Sequence, residues 1–141
     1  MLAVNATDVR KEFGNYIDTI VRTKPIFIKR SRDYIMGISV DMIKELVRDV
    51  EFTVEEFRED DGSTTLSMAE FGIVVNAENF EEANELILND LREYALEYYE
   101  DPLFWGSDLK RKAQFKKILK VLVTEDEKEL KDCLICQVGK S

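Results

Sequence analysis

Residues 5–39 constrain this chain most, because they pair one amphipathic helix with two apolar runs that the helix is too small to cover. Val9, Phe13, Tyr16, Ile17, Ile20 and Val21 recur at three- and four-residue steps, the spacing of a helix buried along one stripe. That spacing predicts a helix from a Thr7 cap to about Arg22. Pro25 stops it, since proline lacks a backbone donor and biases its predecessor away from helix. Ile26–Arg30 and Tyr34–Ser39 follow, separated by Ser31-Arg32-Asp33, and two β-rich runs so briefly separated predict a hairpin. Both runs are apolar on successive residues, so both sheet faces need cover. A segment of about fifty residues cannot supply it alone, and a second copy of the chain is the expected source.

The charges in this stretch point to a ligand. Arg10 and Lys11 fall in the first turn of the predicted helix, where the helix dipole disfavours cations. Lys29, Arg30 and Arg32 gather at the hairpin tip. Like charges placed against local preference mark a site, and the ligand they suit is an anion.

The order of features carries a resemblance. A short strand (Leu2 to Asn5) precedes the Thr7-x-x-Arg10 helix start. Pro25-x-x-Ile28-x-Arg30, a turn and Ile35-x-x-Ile38-Ser39 follow, and Val40-Asp41-Met42-Ile43 opens another helix. This resembles the Phd/YefM antitoxins, dimeric DNA-binding repressors of their own toxin–antitoxin operons. The resemblance covers residues 1–50. It implies contact with operator DNA by Arg10 and Arg30; Lys11, Lys29 and Arg32 are then expected phosphate contacts, and Thr7 is expected in the same DNA-binding set. The tip here is Ser31-Arg32-Asp33, where the family more often has an uncharged turn.

Charge divides the chain. The total is −9, but residues 1–50 hold 9 Lys+Arg against 7 Asp+Glu, a balance of +2. Residues 51–141 hold 11 against 22, a balance of −11. A mildly basic front and a strongly acidic back suggest partners of opposite character, or else a merely solvated acidic surface. No leader and no apolar run near the ~20 residues of a membrane span is visible, which predicts a cytoplasmic chain. There is no histidine, so the commonest general base and zinc ligand are missing.

Val40, Met42, Ile43, Leu46, Val47 and Val50 continue a helical stripe capped by Ser39. The domain boundary is expected near residue 50. Phe52–Glu59, Asp60-Asp61-Gly62 and Ser63–Met68 read as a second hairpin, and Phe71–Asn76 as a third strand with a bulge at Gly72. Asn79 should cap a helix, with Glu82 at the capping-box position. Phe80, Ala83, Ile87, Leu91, Tyr94 and Tyr98 form its buried stripe. Leu86, Leu88, Leu96 and Tyr99 fall partly outside that stripe, and Leu88, Leu96 and Tyr99 are expected contacts for a partner. This block is similar to the HicB-like antitoxin domain. Phe104 and Trp105, in the turn that follows, read either as a plug on the core edge or as contact anchors.

Asp108 to about Val123 reads as one helix, whose Lys110, Arg111, Lys112, Lys116, Lys117 and Lys120 either balance nearby acids or touch phosphate. A last helix is expected from Thr124 to about Gln137. Cys133 and Cys136 lack further zinc ligands and read as helix cysteines. The acids Glu55, Glu56, Glu59, Asp60 and Asp61 alternate along a strand, which spreads them over two faces. No phosphate-cradling loop or activated nucleophile is present, so no catalysis, cofactor or metal is expected.

The expected fold is α+β: a β-α-β-β-α dimerisation and DNA-binding unit over residues 1–50, then an acidic antiparallel β-meander with helices over residues 51–141. The expected function is a type II antitoxin, homodimeric or higher, with operator DNA and a cognate, RNA-cleaving toxin as partners. The competing expectation is a non-catalytic adaptor that dimerises without binding DNA.

Overall fold

The computed structural model describes residues 2–101, 103 and 108–139. Phe104 and Trp105 lie outside the described residues. The fold is α+β, and the chain divides into two compact units, Met1–Leu46 and Val47–Ser141.

The front unit runs β1 (Val4–Asn5), α1 (Ala6–Lys11), α2 (Phe13–Arg22), β2 (Ile26–Arg30), β3 (Asp33–Gly37) and α3 (Val40–Leu46). Its sheet has the order β1-β2-β3, with β1 parallel and β3 antiparallel to β2. The predicted single helix is in fact two. Glu12 sits at φ −125° and ψ 43°, outside helical space, and breaks the run between α1 and α2. The cap also moves: α1 starts at Ala6 after an extended Asn5, and Thr7 lies inside the helix. The hairpin closes tighter than expected, since Asp33 pairs with Arg30 and leaves Ser31 and Arg32 as the turn. Ser31 takes φ 55°, a left-handed conformation that most side chains avoid. Ser39 caps α3 as expected, its Oγ accepting from the Met42 N–H at 3.2 Å.

The back unit runs β4 (Phe52–Arg58), β5 (Thr64–Met68), a 3₁₀ turn (Ala69–Phe71), β6 (Ile73–Ala77), α4 (Phe80–Glu100), α5 (Leu109–Ala113), α6 (Phe115–Val123), α7 (Glu127–Asp132) and β7 (Leu134–Val138). The sheet order is β6-β5-β4-β7, with β7 parallel to β4 and the other pairs antiparallel. Alternation explains its core face. Phe52, Val54, Leu66, Met68, Ile73, Val75 and Leu134 are buried there, while Thr65, Ser67 and Asn76 line the opposite face. Helix α4 packs on β5 and β6 through Ala83, Ile87, Leu91 and Ala95, and α6 adds Ile118 and Val121. Val47 and Val50, read above as the end of a helical stripe, belong to this core.

Four expectations about this unit are corrected. Gly72 is not a bulge; it ends the 3₁₀ turn at φ 67°. The hairpin loop spans Glu59–Ser63, closed by Glu59 N–H donating to Ser63 O at 2.9 Å, with only Gly62 left-handed. The basic helix breaks at Gln114, which is buried, donates to Glu70 O at 2.8 Å and accepts from Tyr94 Oη at 2.6 Å. The last helix ends at Asp132, and Cys136 lies in a strand rather than a helix.

Candidate nucleic-acid interface

Topology brings the start of α1 and the basic hairpin tip to one end of the front unit. Parallel pairing sets Asn5 opposite Lys29, and α1 starts at the residue after Asn5. The start of α1, the end of β2 and the tip of the hairpin therefore lie at the same end of the sheet. Thr7, Arg10 and Lys11 project from α1, while Lys29, Arg30 and Arg32 belong to β2 and its turn. All six are exposed, and among the described residues none of the five cations is held in an ion pair. Lys29 lies 5.8 Å from the centre of the Tyr34 ring, across the strand pair. That cation–π contact steadies its stem while leaving the ammonium accessible.

One part of the sequence argument changes. Arg10 and Lys11 are in the last turn of α1, not the first turn of a long helix. Cations are favoured there, so the dipole gives no independent sign of a ligand. What remains is five exposed cations on two neighbouring segments, α1 and the end of β2 with its turn.

The same unit leaves apolar surface uncovered. Directly opposed residues share a sheet face, so Phe27 and Met36 lie together with Lys29 and Tyr34. The other face carries Ile26, Ile28 and Gly37, and Ile20 of α2 reaches over Gly37. Phe27, Met36 and Tyr34 are exposed. So is a second stripe on α2, where Phe13, Ile17 and Val21 recur every fourth residue and Phe13 and Val21 are 60% and 63% exposed. A groove of about 540 Å³ adds Leu2, Val4, Tyr16, Pro25 and Ile26. Among the described residues of this unit only Ile26 is a buried apolar side chain.

A family model described as antitoxin of toxin–antitoxin, RelE/RelB, TA system, and designated PHD-like, matches residues 1–136. The chain belongs to this antitoxin family. A crystal structure of an antitoxin part of a toxin/antitoxin system from Syntrophomonas wolfei subsp. wolfei is also similar. It shares 36% identity with a TM-score of 0.91 and covers 99% of this chain and 100% of that one. No curated protein matches. Membership implies a cognate toxin as partner. No helix among the described residues is long and apolar enough to cross a membrane.

The antitoxin's expected partner contacts fare unevenly. Leu96 and Tyr99 are exposed on α4. Leu88 is 4% exposed and belongs to the core, because α7 closes over that side of α4. Arg92 fastens the closure: its Nε donates to Glu127 Oε1 at 2.7 Å, and its other nitrogens donate to Val121 O and Glu125 O, each at 3.2 Å. Leu88 is therefore withdrawn from the contact set. Leu86, which also fell outside the stripe, is exposed and shares the helix with Leu96 and Tyr99.

The basic helical segment has a largely internal role where its contacts are defined. Lys117 pairs with Glu70, and Lys120 donates to Arg48 O at 3.2 Å. Burial raises the hydroxyl pKa of both Tyr94 and Tyr98 above the ordinary phenol value. Both act as neutral donors, to Gln114 Oε1 and to Arg111 O respectively.

Proposed function

We propose that this antitoxin is a cytoplasmic, non-catalytic homodimer of Phd/YefM type that binds its operator through the front unit and represses its own operon. The observation that carries the reading is that exposed Arg10 and Lys11 on α1 neighbour exposed Lys29, Arg30 and Arg32 at the end of β2 and its turn, in a unit with almost no core of its own. A second copy completes the core and sets two such clusters at a fixed spacing, the geometry that reads a palindromic site. Lys11, Lys29 and Arg32 supply phosphate contacts, whose affinity falls with salt. Arg10 and Arg30 reach base edges, where an arginine pairs best with guanine. Thr7 adds a phosphate hydrogen bond.

The back unit is read as a HicB-like domain that masks an RNA-cleaving toxin. Exposed Glu93, Glu97 and Glu100 flank Leu96 and Tyr99 on α4, and exposed Glu81, Glu82 and Glu85 lie in its first turns. An acidic face of this kind complements the basic cleft an RNA-cleaving enzyme needs. Phe104 and Trp105 remain in the proposed contact set.

The test is an electrophoretic shift with the DNA upstream of the chain's own gene. Replacing Arg10 and Arg30 by Ala abolishes the shift and leaves the dimer intact. Unchanged DNA affinity in that variant overturns the operator reading and leaves an adaptor that only dimerises.

A further inference from the structure

Strand β7 is the edge of the back sheet: it pairs with β4, and among the described residues with nothing on its other side. Two hydrogen bonds fix which of its backbone groups are engaged. Phe52 N–H donates to Cys133 O at 2.8 Å, and Gly139 N–H donates to Glu56 O at 2.7 Å. Along a strand, alternate residues aim both backbone groups at the same neighbour. Residues 133, 135, 137 and 139 thus address β4. The N–H and C=O of Leu134, Cys136 and Val138 point outward.

Natural edge strands are blunted by charge, proline or a bulge. Leu134-Ile135-Cys136-Gln137-Val138 has none of these in a chain that is 35% charged. The opposite edge, β6, is also uncharged, but its core-face residues Ile73 and Val75 are buried. On β7 the core-face residue Val138 is 89% exposed, beyond the reach of the helical layer.

We infer that β7 pairs antiparallel with β7 of a second copy, about a two-fold axis at Cys136. The outward residues are symmetric about that position. In this register Leu134 faces Val138 of the second copy, Cys136 faces Cys136, and every outward N–H and C=O finds a partner. A slip of one residue sets outward groups against inward ones and loses the ladder. The bare Val138 then lies across from Leu134 on the same face, and no like charges are brought together. A foreign strand would have to match this pattern; a second copy matches it by symmetry, as an isologous contact requires. This contact is independent of the front unit's proposed pairing.

The test uses the full chain carrying Cys133→Ser, so that Cys136 is its one thiol. Cα atoms of a hydrogen-bonded antiparallel pair stand about 5.5 Å apart, within disulfide range. Burial, and then the Glu56 carboxylate, push the Cys136 thiol above its ordinary pKa, so oxidation by copper phenanthroline is run at alkaline pH. Each thiol gives one proton to solvent and one electron to copper(II). A band of twice the chain mass forms. Moving the thiol, with Cys136→Ser and Val138→Cys added, sets the two sulfur-bearing residues roughly 14 Å apart along the ladder and removes the band. Absence of the band from Cys136, or an equal band from both positions, overturns the register.

Amide hydrogen exchange reads the same contact without a thiol. The outward N–H groups of Cys136 and Val138 are protected in the natural chain, and Val138→Lys removes that protection. Cys136→Pro removes pairing but spares β4, because the lost N–H is one that β4 does not use. Rapid exchange at both amides in the natural chain overturns the proposal. Protection that arises only when the toxin is added also overturns it, in favour of a toxin strand on this edge. Front-unit amides are read in the same experiment, so the two contacts fail separately.

Discussion

The two units bury apolar surface in opposite ways. The back unit closes a core around Phe52, Leu66, Ile87, Leu91, Tyr98 and Ile118, all inaccessible to solvent. The front unit has comparable apolar content in its helix and hairpin, yet only Ile26 is buried among its described residues. The back unit has a 21-residue helix laid across a four-stranded sheet. The front unit has a ten-residue helix over one face of three short strands, and Phe27, Met36 and Tyr34 on the other face stay exposed. The back unit is stabilised by its own packing. In the proposed dimer the front unit is half of a core, and its stability is tied to the concentration of the chain.

The largest way to sharpen that contrast is to damage the self-sufficient unit. Phe52→Ala removes a fully buried ring from the centre of the back sheet and should cost about 3–5 kcal/mol. Chemical denaturation followed through back-unit signals measures it, and a loss well below that range would mean the core is loosely packed. Next in size is Ile17→Asp, on the uncovered stripe of α2. In an isolated unit this change, at a side chain 39% exposed, would cost stability but leave the mass unchanged. At an interface between copies it removes an anchor and inserts a charge, a change of at least about 2 kcal/mol in association. Sedimentation of this variant with Val138→Lys added, so that the β7 contact is also absent, should give single chains whose back unit melts as before; a mass equal to that of Val138→Lys alone would place the interface elsewhere.

A smaller effect belongs wholly to the back unit. Asn79 accepts from Glu82 N–H at 2.9 Å and caps α4. Asn79→Ala should lower back-unit stability by about 1 kcal/mol without touching association or DNA binding. Any change in DNA affinity in this variant would show that the units do not act separately.

What was legible in the sequence follows the same division. Local chemistry could be read directly: the Ser39 and Asn79 caps, the Pro25 stop and the Gly62 turn all act over a few residues. The lack of cover for the hairpin was also legible, because counting apolar faces needs no coordinates. Tertiary partners were not. Leu134–Val138 is a short apolar run whose period does not separate helix from strand, and only its pairing with β4 decides. The break at Gln114 depends on Glu70 and Tyr94, distant in sequence. Leu88 fell outside the helical stripe drawn toward the sheet, yet α7 buries it from a second side. At the candidate interface, the exposure of the basic residues was readable from their charge. The break at Glu12, which moves Arg10 and Lys11 to a helix end, had no proline or glycine at that position to announce it.

The most direct measurement is amide hydrogen exchange of the full chain across a dilution series. The account predicts that protection in α2, β2 and β3 falls as the chain is diluted, while protection in β4, β5, β6 and α4 stays constant. Front-unit protection that is equally strong at every concentration would contradict it, since a unit that holds its structure alone needs no second copy to set the arginines in place.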